Sequence, residues 1–139
     1  MREMNKLATI LCAIFLAACT PKSCDLAVDA VSIRPKDPKV GDQVVVTYRI
    51  INNGPDILPA KSYRTIVTVD GRETSLDLGG SHSARKVGEY VEYSKAPGYC
   101  DFVPTKSGSY KIRIDVSPKL SVSDPVAGNN TFTRTIAVP

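Results

Sequence analysis

From Asp25 onward, apolar and polar residues alternate over short runs cut by Gly, Pro, Asn and Asp, and no stretch sustains the period of an amphipathic helix. A period of two sends successive side chains to opposite faces of a strand, so such a chain buries its apolar set by packing sheets or by closing one. The segment 25–139, about 115 residues, is one domain's worth, with a real but modest core. The pattern predicts an all-β fold of about seven strands in two packed antiparallel sheets.

Along the chain, Leu26 and Val28 are in step, as are Val31 and Ile33, but the second pair is shifted by one. A bulge near Asp29 would restore the facing. Val44, Val46, Tyr48 and Ile50 alternate with Val45, Thr47, Arg49 and Ile51, and two largely apolar faces predict a central strand. The run 63–69 ends at Asp70-Gly71, a strong hairpin signal, and returns through 74–78. Residues 79–84 contain no apolar anchor and predict a mobile connection. A strand over 87–93 follows, then a turn at Ala96-Pro97-Gly98 toward Cys100, Phe102 and Val103. Tyr110, Ile112, Ile114 and Val116 alternate with Lys111, Arg113 and Asp115, one face buried and one wet. Gly108-Ser109-Tyr110 resembles the tyrosine corner of immunoglobulin-like sandwiches. The loop 124–130 leads to a last strand carrying Phe132, Ile136 and Val138.

The N terminus is of a different kind. Arg2 and Lys6 precede an apolar run over 7–18, long enough for a secretory signal but far short of the roughly 20 residues of a membrane span. Leu16-Ala17-Ala18-Cys19 then sets small residues before a cysteine. This resembles the lipobox of bacterial lipoproteins. The resemblance implies a signal helix over 1–18 that is cleaved off, diacylglycerol and a further acyl chain such as palmitate on Cys19, and the lipid bilayer as a partner. The alternative is ordinary secretory cleavage with Cys19 left as a thiol. Thr20 follows where Asp would favour inner-membrane retention, which by the same resemblance implies the outer membrane, facing the periplasm. Residues 19–24 then form the lipidated cysteine and a short linker, and 25–139 the domain. Extended, 20–23 reach only roughly 13 Å.

Cleavage removes Arg2, Lys6 and Glu3, leaving 16 of 18 Lys and Arg against 13 of 14 Asp and Glu. Charge this balanced and dispersed argues against nucleic acid as a partner. Cys24 and Cys100 remain after Cys12 is discarded and Cys19 acylated. In an oxidising compartment an even pair predicts a disulfide, closing a loop of about 77 residues worth roughly 4 kcal/mol, with two free thiols as the alternative. Two cysteines and a distant His82 do not make a zinc site.

The order Asp25-Leu26, Pro38, Gly41-Asp42, alternating valines, Asn52-Asn53-Gly54, Gly108-Ser109-Tyr110, Asp115 and Asn129-Asn130 resembles the CARDB domain, the cell-adhesion-related domain found in bacteria. The resemblance covers nearly all of 25–139 and implies an immunoglobulin-like sandwich used as an extracellular binding or spacing module. Cys24 and Cys100 lie outside its pattern, and Asp124 is followed by Pro125-Val126-Ala127-Gly128 where relatives often carry several acids.

Catalytic constellations are absent from the pattern: His82 stands between Ser81 and Ser83 in a Gly-rich loop, and no nucleophile elbow, zinc-protease helix or P-loop occurs. Asp115, Asp124 and Asn129, with Asn130, offer hard oxygens to calcium, but few for an ion that takes six to eight. Tyr90 and Tyr99, and His82 beside them, are the candidate binding residues, tyrosine burying much area at low entropic cost; Tyr93 is assigned to the core. The reading that follows is a non-enzymatic, lipid-anchored envelope module engaging a protein or glycan. Its rivals are a lipoprotein that blocks an envelope receptor or inhibits an enzyme, and a metal-dependent or hydrolytic protein.

Overall fold

The computed structural model describes residues 20–94 and 99–139; the signal segment, Cys19 and the Ala96-Pro97-Gly98 turn lie outside the described residues. Nine strands are described: β1 (Lys22–Arg34), β2 (Val44–Pro55), β3 (Tyr63–Val69), β4 (Arg72–Asp77), β5 (Tyr90–Tyr93), β6 (Cys100–Phe102), β7 (Gly108–Pro118), β8 (Val122–Ser123) and β9 (Thr131–Val138). The larger sheet runs β5-β2-β1-β8, with β6 also on β2; the smaller runs β4-β3-β7-β9. All pairings are antiparallel except the short β1–β8 contact. The two sheets form an immunoglobulin-like β-sandwich.

β2 is central, as its two apolar faces predict. Its inner face sends Val46, Tyr48 and Ile50 into a core shared with Val67, Ile112, Ile114 and Val116 of the smaller sheet. The bulge falls where β1 changes step: Asp29 pairs with Arg49 and Ser32 with Thr47, so Ala30 and Val31 together oppose Tyr48. Ala30 takes φ +48°, and Val31 and Ile33 thereby join Val28 against the core. Asp70 and Gly71, both at positive φ, turn β3 into β4 as a two-residue hairpin demands. The tyrosine corner is present: the Tyr110 hydroxyl donates to the Lys106 carbonyl at 2.8 Å.

Three expectations are corrected. First, nine strands replace about seven, because β6 and β8 are three and two residues long and too short to carry a period. β1 also begins at Lys22, so residues 22–24, read as linker, are already in the sheet. Second, residues 79–84 are anchored: His82 is buried, its carbonyl accepts from Lys61 N, and Leu58 bridges Arg85. A Cβ at Gly79 would collide with the Tyr63 carbonyl, so the chain passes there only as glycine.

Third, Cys24 and Cys100 are both free, buried thiols rather than a disulfide. Cys24 pairs with Pro55 at one end of β2 and Cys100 with Val46 nearer the other. Nine residues of strand separate those positions, about 30 Å, where a disulfide needs Cα atoms within roughly 7 Å. Burial pushes both thiols above their ordinary pKa, and the Cys100 sulfur meets the Thr74 hydroxyl at 3.0 Å. Alkylating the unfolded protein without reductant should therefore label Cys24 and Cys100 separately. A Cys24–Cys100 crosslinked peptide in the digest would contradict this register.

Candidate functional site

The alternation that sends Tyr48 inward sends Val45, Thr47 and Arg49 to the outer face of the larger sheet. β1 lays Asp29, Ser32 and Arg34 beside them in register, and β5 sets Glu92 opposite Arg49 and Tyr90 opposite Ile51. Arg49 donates to Asp29 at 2.8 Å, and its guanidinium stands 4.4 Å above the centre of the Tyr90 ring. That stacking holds a cation over an aromatic face. Arg49 Nε is buried with no hydrogen-bond partner. Ser32, Arg34, Val45 and Thr47 line a cleft of about 480 Å³, and Ala30, Thr47, Arg49 and Glu92 contribute to an adjoining hollow of about 230 Å³. The two share Thr47, which lies on β2 between the segments paired by β5 and β6.

On the inner side of the same strands lies a polar network. Tyr93 stacks on Tyr48 at 4.8 Å, and Tyr48 bonds Thr65 at 3.2 Å. The Tyr93 hydroxyl donates to an Asp77 oxygen at 3.0 Å and lies 3.2 Å from that of Tyr63. His82 Nε2 lies 2.6 Å from the same Asp77 oxygen, so the tautomer that satisfies the carboxylate carries its proton there. His82 Nδ1 is left without a partner. Gly79 N donates to the other Asp77 oxygen at 2.9 Å.

Burial pushes the Asp77 carboxyl upward, but the Gly79 amide, His82 and Tyr93 more than reverse this, and its pKa lies below the usual carboxylate value. Burial raises Tyr63 to about 12 and Tyr93 well beyond its ordinary value, so neither supplies a phenolate near neutrality. Asp77 and His82 are 7% and 8% exposed, and the pair fastens residues 77–85 to the sheet rather than facing solvent.

The candidate residues are dispersed by the fold. Tyr90 is on the outer face and half exposed, Tyr99 packs partly buried against the core, and His82 belongs to the inner network. Asp115 bonds Arg113 and Thr131, Asp124 accepts from Leu26 N and Val126 N, and Asn129 donates to Asp25. Cys24 and Cys100 sit at opposite reaches of the larger sheet, and Cys19 lies outside the described residues. The outer-face residues Arg34, Thr47 and Arg49, and Asp77 within, were not singled out from the sequence. Their one signal was position: Arg49 and Thr47 are the polar members of an otherwise apolar alternation.

No family model matches the chain, and no curated protein matches it. Solved structures do. A crystal structure of a CARDB domain from Pyrococcus furiosus, in complex with di-metal ions, superposes with a TM-score of 0.66 at 20% identity, covering 86% of this chain and 92% of that one. A solution structure of the CARDB domain from the same organism gives 0.65 at 19% identity, covering 84% and 96%. The fold is that of a CARDB domain.

Because the folded pKa of Asp77 is depressed, the stability it contributes is present above its unfolded value, near 4, and is lost as pH falls through the folded one. Asp77→Asn should cost about 2–4 kcal/mol at neutral pH and flatten the acid limb of the stability curve, read by thermal melts from pH 2 to 7. An unchanged acid limb would remove Asp77 from this role.

Proposed function

We propose that this protein is a lipid-anchored binding module of the cell envelope, acylated at Cys19, that holds an envelope protein or glycan on the outer face of its larger sheet without catalysing a reaction. The observation that carries the reading is the cleft of Ser32, Arg34, Val45 and Thr47 running into the Arg49–Tyr90 stack. Guanidinium, hydroxyl and aromatic groups converge there on an exposed sheet face, the residue types that binding surfaces favour. The CARDB fold supports an adhesion-related role. The lipobox pattern and Thr20 support the outer membrane, facing the periplasm. A blocking role against an envelope receptor or enzyme is favoured by one observation: β1 starts at Lys22, so a domain acylated at Cys19 stays pressed to the membrane beside its neighbours.

The di-metal ions are those of the Pyrococcus domain, and our reading assigns none to this chain. Asp124 and Asp115 already hold protein donors, and no cluster of three His, Cys, Asp or Glu side chains able to hold a metal ion occurs among the described residues. Asn129 Oδ1 and Asn130 Oδ1 are buried without partners, but two amide oxygens fall short of a calcium shell.

A photocrosslinker at Thr47 should capture a discrete partner in intact membranes, and Arg34→Glu should abolish that adduct. A crosslinker at Arg113, on the smaller sheet, should not capture it. Equal adducts from both positions, or none from Thr47, would count against this face.

A further inference from the structure

We infer that the end of the sandwich from which the N terminus emerges is a second membrane contact, with Ile57, Leu78 and Leu120 inserting into the bilayer interface beside the lipid on Cys19. The inference rests on acylation of Cys19. These three side chains are 58%, 61% and 99% exposed, among the most solvent-accessible apolar groups of the described chain. They sit on separate loops that the structure ties to the chain's exit. Lys22 N donates to Ser121 O at 2.9 Å, next to Leu120, and Asp56 N donates to Ser23 O at 3.0 Å, next to Ile57. Lys119 Nζ donates to Leu78 O at 2.6 Å, joining the third loop to the first.

Lys22, Lys61 and Lys119 flank these tips, while Asp56 turns one carboxylate oxygen to the Ser23 amide at 2.8 Å. Apolar tips with lysines on or beside their loops suit an interface bearing anionic headgroups. The length of chain commits this surface to the bilayer: Cys19 stands only three residues before Lys22, roughly 10 Å extended. A lipid there leaves the loops no other neighbour to meet first.

The chain contains no tryptophan, so single-tryptophan variants report cleanly. The acylated Leu120→Trp protein is reconstituted in phosphatidylethanolamine–phosphatidylglycerol vesicles, with Val103→Trp, at an exposed site at the opposite end, as the control. Both positions are exposed, and thermal melts of each variant check that it folds. For Leu120→Trp we expect blue-shifted emission and about twofold quenching by acyl-chain-brominated lipid, at the roughly 5–10 Å depth of interfacial side chains. Val103→Trp should show neither. Protein that floats with vesicles while the Leu120→Trp indole stays unquenched leaves the anchor standing and overturns this contact. Protein that does not float, with no lipid mass on Cys19, overturns the anchor and the contact with it.

Discussion

The period-two alternation of β2 is the constraint on which the rest depends. One strand, paired by β1 on one side and by β5 and β6 on the other, delivers Tyr48 to the core and Arg49 to the outer face. A slip of one residue would exchange those faces, burying a guanidinium and exposing the stack that closes the core. The β1 bulge at Ala30 serves the same constraint, since without it Val31 and Ile33 would point away from the core that Leu26 and Val28 occupy. Outer cleft and inner network are two consequences of one register.

The inner network shows how a small sandwich closes an end where loops rather than strands lie over the core. Asp77, His82, Tyr63 and Tyr93 satisfy most of one another's polar atoms at buried positions, and Gly79 lets the backbone pass close to Tyr63. A buried network of this kind is costly when broken and specifies one arrangement when intact. It orders the 77–85 segment, which Arg85 joins to Leu58 and to the Asn52 side chain near the end of β2.

Much of this was legible in the sequence. Alternation in 44–51 and 110–116 set the central and half-buried strands, the step change after Val28 located the bulge, Asp70-Gly71 the hairpin and Tyr110 the corner. Long-range placement was not legible. The parity of Cys24 and Cys100 suggested a bond, but their positions along β2 depend on registers that local pattern does not encode. His82 looked like a loop residue because its anchors, Asp77 and Tyr93, come from two separate strands. The outer face was missed because a polar residue in an alternating strand reads as solvated until its cross-strand neighbours are known.

These features give the molecule a direction. β1 runs from Lys22 to Arg34 in the cleft, about 40 Å of strand, so the cleft lies at the far side of the domain from the start of β1, where the proposed lipid anchor would attach. A module anchored as proposed would hold a partner at a set height above the lipid. The most direct test is the mass of the N-terminal peptide of the product extracted from membranes. The account predicts a peptide that starts at Cys19 and carries diacylglycerol; a peptide that starts at Met1, or an unmodified Cys19, would contradict it.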